Sequence, residues 1–155
     1  MFTKDKIKEN FEVLICTLFI TIIAFFIAWP QKVEGISMKP TFNDGDIVFM
    51  SRILKTIKPI EKNDIVICNI KIDNKKLKVI KRVLATPKDH LVIKNGLITI
   101  NGKKIDGINL SVYYSIDIIL GDNQYFILGD NLNFSIDSRY IGPIYKDDIV
   151  GKIVF

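Results

Sequence analysis

The chain has 155 residues, 48% apolar and 25% charged, which suits one domain of ordinary size and excludes disordered and collagen-like classes. Its two cysteines, Cys16 and Cys68, lie far apart without ligand spacing, so neither a disulfide framework nor structural zinc is expected, and no metal or other cofactor is assigned. The formal charge of +5 lies beyond residues 1–12, where lysines alternate with acids and form no block, so it reads as a solvated basic surface with no nucleic-acid partner.

Residues 1–12 are expected to form a short cytoplasmic tail in which Lys4, Lys6 and Lys8 balance Asp5, Glu9 and Glu12. Residues 13–29 read VLICTLFITIIAFFIAW, seventeen positions without a charge, and with Pro30 they approach the length that a bilayer core demands. Eleven of them are Leu, Ile, Val or Phe. At about −0.3 to −0.6 kcal/mol each, those side chains supply roughly −3 to −7 kcal/mol for insertion. A buried core helix would need a polar face, and the only polar side chains here are Thr17 and Thr21, which can bond back to their own helix. A cleavable leader would need a small-x-small site where this chain has Trp29-Pro30. Residues 13–30 are therefore expected to be an uncleaved transmembrane helix, with the N-terminus cytoplasmic and residues 31–155 translocated.

After Pro30 the pattern changes to short β-branched runs separated by Gly, Asn, Asp and Pro, the mark of a mostly β, antiparallel domain. Strands are expected at 46–52, 64–72, 77–84, 91–93, 97–100, 125–128 and 149–154, with hairpin turns at Asn95-Gly96 and Asn101-Gly102. Asp-Ile-Val recurs at 46–48, 64–66 and 148–150, but its irregular spacing makes it a habit of entering strands and no repeat. Residues 106–124 are consistent with loop, edge strand or a short excursion from the core.

With a single histidine, His90, and no cysteine pair, attention falls on Ser, Lys and Asp. Gly35-Ile36-Ser37-Met38-Lys39-Pro40-Thr41 places a serine in a turn, where it is either a turn former or a nucleophile. In 77–84 a period of two puts Leu77, Val79, Lys81 and Val83 on one face, so Lys81 sits in an apolar row. Its ammonium either snorkels to water or is desolvated into a usable base. The stretch from Gly129 to Tyr140 packs turn formers around Asp137 and Arg139, either as a surface ion pair or as support for such a lysine.

Behind an apolar anchor, and in this order, these stretches resemble the boxes of the bacterial type I signal peptidases, membrane-bound Ser–Lys proteases that remove signal peptides from exported preproteins. Ser37-Met38-Lys39-Pro40-Thr41 resembles the nucleophile box, Asn63-Asp64-Ile65-Val66 the next strand box, and Ile80-Lys81-Arg82-Val83 the general-base box. Gly129-Asp130-Asn131, with Ser135-x-Asp137-Ser138-Arg139-Tyr140-x-Gly142, resembles the last. The resemblance implies Ser37 as nucleophile, Lys81 as general base, Ser135 orienting the amine, and Asp137 with Arg139 as structural support. It implies cleavage after Ala-x-Ala in extended substrates, a location in the cytoplasmic membrane, and Val33, Met38, Phe42, Val79 and Ile80 as pocket walls. Ser37 lies seven residues beyond Pro30, so an extended link keeps it within roughly 25 Å of the membrane surface.

The chain departs from the family in places. Gly35 stands where some members carry a serine that donates to the oxyanion, and Thr86-Pro87-Lys88-Asp89 replaces a glycine-rich turn. The interval from Asp89 to Tyr125 leaves the extra β domain of larger members reduced to a small hairpin or absent. Two alternative functions share these features: a peptidase dedicated to one pilin or conjugation substrate, and a catalytically silent membrane-tethered β binding module.

Overall fold

The computed structural model describes residues 4–108, 110 and 114–154; the side chains of residues 4, 5, 7 and 22–27 lie outside that description. Helix α1 (Lys4–Ile27) is followed at once by strand β1 (Trp29–Lys32). The helix thus absorbs most of the expected tail and stops three residues short of the expected boundary. Pro30 accounts for the early stop, because it disfavours helical geometry at the residue before it, and Trp29 and Pro30 instead pair with Met50 and Phe49. Among the described residues no helix is long and apolar enough to cross a membrane. Residues 22–27 of the expected span fall outside the described side chains. Along the part that is described, Phe11, Val13, Leu14, Ile15, Leu18, Phe19 and Ile20 are all exposed. Thr17 and Thr21 bond to the carbonyls of Val13 and Thr17, so the helix satisfies its own hydroxyls.

The next elements in chain order are β2 (Ile47–Ser51), α2 (Leu54–Ile57), β3 (Ile65–Ile72), β4 (Lys75–Ala85), β5 (His90–Lys94), β6 (Leu97–Ile100), β7 (Lys103–Ile105) and β8 (Ile116–Ile119). After them come β9 (Gln124–Leu128), α3 (Ser138–Ile141), β10 (Ile144–Tyr145) and β11 (Ile149–Ile153). Each expected strand is present within one or two residues of its expected ends, and every pairing is antiparallel. One sheet has seven strands in the order β1-β2-β11-β3-β4-β9-β10. The other has four, in the order β7-β6-β5-β8.

This second sheet corrects the expectation of a small hairpin or nothing between β4 and β9. Asn95-Gly96 and Asn101-Gly102, all at positive φ, turn a three-strand meander, and β8 returns from 106–124 to pair with β5. Leu91, Ile93, Ile98 and Ile100 alternate inward and join Leu84, Ala85, Leu120, Phe126 and Leu128 in one core cluster. A second cluster gathers Val66, Cys68, Ile70, Val83, Tyr125, Ile127 and Ile149. A register shift between Val83 and Ala85 lets one strand serve both clusters, since successive residues there are all buried. The 86–89 turn keeps the backbone shape of a glycine turn without glycine, with Lys88 at φ 69.

Candidate active site

The 35–41 turn is held from two sides. Val33 N–H donates to Asp46 O at 2.8 Å and Gly35 N–H to Asp44 Oδ1 at 2.7 Å, which ties the turn to the start of β2. On the other side Asn131 N–H donates to Ser37 O at 2.9 Å, and Asn131 Nδ2 donates to Ile36 O at 3.0 Å. Asn131 thus grips both peptide carbonyls next to the serine, so the hydroxyl is carried on a fixed backbone. No protein group accepts from the Ser37 N–H among the described residues.

Lys81 enters from the middle of β4, opposite Val66 of β3, in the apolar row that its spacing implied. The residue is 3% exposed, so the snorkelling alternative is not the one adopted. Its Nζ donates to Ser37 Oγ at 2.7 Å and to Ile80 O at 3.0 Å. Removal from water pushes the amine below the usual lysine range, while the Asp137 and Asp130 carboxylates pull it back up and Arg139 pushes it further down. The nearby Cys68 thiol is itself raised by burial to about 12, and therefore neutral.

The corner behind the pair is built from the segment after β9. Asp137, with no exposed surface, accepts Gly129 N–H at 2.9 Å and both Nε and Nη2 of Arg139 at 2.8 Å. Arg139 also donates to the carbonyls of Leu132 at 2.8 Å and Ser135 at 3.3 Å, so the ion pair braces the whole loop. Ser135 is brought beside the Ser37 backbone, but the hydrogen bond expected from it to the lysine amine is not made. Among the described residues its Oγ is buried without a hydrogen-bond partner. Gly129 makes the close approach possible: a Cβ there would stand 2.2 Å from Ser135 Oγ and 2.6 Å from Ser37 O. A second ion pair joins Arg82, beside the lysine on β4, to Asp130 at 2.7 Å, and Thr41 donates to the same carboxylate.

A cavity of about 280 Å³ opens onto Ser37 and Lys81. Val33, Met38, Val79 and Ile80 line it, whereas the half-buried Phe42 does not. Residues that the sequence reading did not assign to the site are Gly129, Asn131, Arg82 and Asp130, and the cavity residues Gln31, Lys32, Glu34, Ile67 and Lys78. The first four lie inside the quoted boxes, so the signal was present, but only the fold shows what each one touches. Among the described residues no group of His, Cys, Asp or Glu is arranged to hold a metal ion.

Comparison with known proteins gives the same family. The profile of the family described as "Signal peptidase, peptidase S26" matches residues 7–155. A signal peptidase I of Bacillus amyloliquefaciens is 34% identical over 160 residues, covering 92% of this chain and 81% of that protein. Signal peptidase I T of Bacillus subtilis is 33% identical over 169 residues, covering 99% and 86%. A crystal structure of a signal peptidase I from Enterococcus faecalis matches with a TM-score of 0.49 at 22% identity, over 61% of this chain and 97% of that one. With a profile match along nearly its whole length and relatives a third identical to it, the chain belongs to the signal peptidase, peptidase S26 family and is a serine peptidase.

Proposed function

We propose that the protein is a membrane-anchored endopeptidase that removes signal peptides from exported preproteins after Ala-x-Ala sites, with Ser37 as nucleophile and Lys81 as general base. The observation that carries this reading is the 2.7 Å contact between the Nζ of Lys81, a residue only 3% exposed, and Ser37 Oγ. A lysine that has lost its proton can accept the Ser37 proton through that same contact. Oγ then bonds to the scissile carbonyl carbon, and the oxyanion meets the unengaged Ser37 N–H. The ammonium returns its proton to the departing amine as the peptide bond breaks. A water then enters, gives its proton to Lys81 and attacks the acyl ester, and Ser37 recovers the proton as the signal peptide leaves as an acid. Ser135, Asp137 and Arg139 hold the corner against which this exchange takes place.

The apolar cavity walls Val33, Met38, Val79 and Ile80 lie next to the dyad, where this reading places the alanines at the first and third positions before the cut. The apolar side chains of α1 from Phe11 to Ile20, exposed in the fold, support anchoring, with residues 1–12 read as cytoplasmic, the helix from 13 to 27 as the bilayer segment and the two sheets as lying outside. Cleavage of a short Ala-x-Ala peptide by the purified chain tests the dyad. Ser37→Ala and Lys81→Arg are each expected to lose at least about a thousandfold in kcat/KM, because alanine has no nucleophile and guanidinium keeps its proton at every accessible pH. Retention of wild-type turnover by Lys81→Arg would remove lysine from the mechanism.

A further inference from the structure

One side chain reaches the corner behind the dyad from outside every box that the sequence singled out. Tyr114 lies two residues before β8, in the 106–124 interval whose structure the sequence left open. The Arg139 guanidinium carbon stands 5.3 Å from the centre of its ring and 5.7 Å from that of Tyr140. The two rings meet edge to face at 89° with centres 5.8 Å apart, and the Tyr114 hydroxyl donates to that of Tyr140. Although Tyr140 is 63% exposed, the Arg139 side chain beneath it is only 2% exposed. Two aromatic faces and the Asp137 carboxylate thus replace water around this guanidinium.

We propose that Tyr114 is a positioning residue of the peptidase site: with Tyr140, its ring seals Arg139 against Asp137 and so sets the charge that the Lys81 amine faces. The proposal rests on the Ser–Lys reading above. The titratable and charged groups facing Lys81 are Cys68 on β3, Asp130 after β9, and Asp137 and Arg139 at the start of α3. Cys68 is neutral and Asp130 is already engaged by Arg82, which leaves the Asp137–Arg139 pair as the adjustable element. Asp137 favours the protonated amine and Arg139 the neutral one. Freeing Arg139 to water leaves Asp137 without its counter-ion and lets water approach the amine. Both changes favour the ammonium, so the base would lose its proton only at higher pH.

The test is the dependence of kcat/KM on pH, from about pH 6 to pH 10, for the full chain in detergent with an Ala-x-Ala peptide. Tyr114→Leu is expected to move the ascending limb up by about half to one pH unit, a three- to tenfold loss on the acid side with the alkaline plateau kept within about twofold. Tyr140→Leu, at a position 63% exposed, should move the limb the same way by less. Tyr114→Phe keeps a ring over Arg139 and should restore the limb that Tyr114→Leu displaces. A simple loss of folded protein lowers the rate by one factor at every pH. If Tyr114→Leu, or Tyr140→Leu should the former not fold, shows only such a uniform loss while the wild type keeps a Ser37-dependent ascending limb, the Tyr114 assignment is overturned alone. A wild-type rate that lacks the limb, or survives Ser37→Ala, overturns the Ser–Lys reading and this proposal with it.

Discussion

A lysine buried in an apolar row is expensive, and that cost is what makes it useful as a base. In the unfolded chain the amine holds its proton up to about pH 10.4, whereas burial lowers its affinity for the proton in the folded state. Between the two values the unfolded chain binds more protons, so stability should climb with pH across the window from the depressed value to about pH 10.4. Lys81→Met removes the charge and keeps the volume. It is expected to be inactive yet more stable at neutral pH, by about 1 kcal/mol or more, with the pH-dependent gain abolished. Denaturant melts of both proteins at several pH values check this. A variant that is less stable than wild type throughout that window would mean that the Lys81 ammonium is well solvated or well paired in the fold.

At the scale of elements, Asp89 locks the β4–β5 turn and joins the two sheets. Its carboxylate accepts from Thr86 N–H at 2.8 Å, Thr86 Oγ1 at 2.9 Å, Lys62 Nζ at 2.9 Å and Asn101 Nδ2 at 2.8 Å. Burial alone would raise its proton affinity, but these donors outweigh burial and hold the carboxyl below the usual aspartate range. The stability it supplies is therefore present above the unfolded value of about 3.9 and is lost as pH falls through the lower folded value. Asp89→Asn should cost roughly 1.5–3 kcal/mol at neutral pH and flatten the acid limb of the stability curve, which denaturant melts between neutral and acid pH would reveal. The strands around this turn were legible because they alternate apolar residues between Gly, Asn and Asp punctuation, as in 91–93 and 97–100. Strand β8 and the approach of Tyr114 to Arg139 were not, since the pairing of β8 with β5 and the packing of Tyr114 on α3 both join residues far apart in the chain. The Lys81 row was legible from its period of two, whereas the choice between snorkelling and burial depended on Ser37, 44 residues away in sequence. Phe42, which directly follows the nucleophile box and is expected in the pocket, instead closes the turn, its backbone N–H donating to Met38 O.

At the scale of the whole molecule, the dyad and its cavity sit just beyond the end of an apolar helix, since Gln31 and Val33 of the cavity wall follow Ile27 within a few residues. This proximity matches a substrate whose cleavage site emerges at the membrane surface. The anchoring part of the account predicts that the chain reconstituted in phospholipid vesicles stays with the lipid pellet after an alkaline carbonate wash, and its release into the supernatant would contradict the proposed span. The central claim is tested most directly by incubating the detergent-solubilised chain and its Ser37→Ala variant with a preprotein bearing one Ala-x-Ala site, then weighing the new N-terminus by mass spectrometry. The account predicts a single cut after the second alanine by the wild type and none by the variant. A cut elsewhere, an equal cut by both proteins, or an intact preprotein in the presence of folded wild-type chain would contradict it.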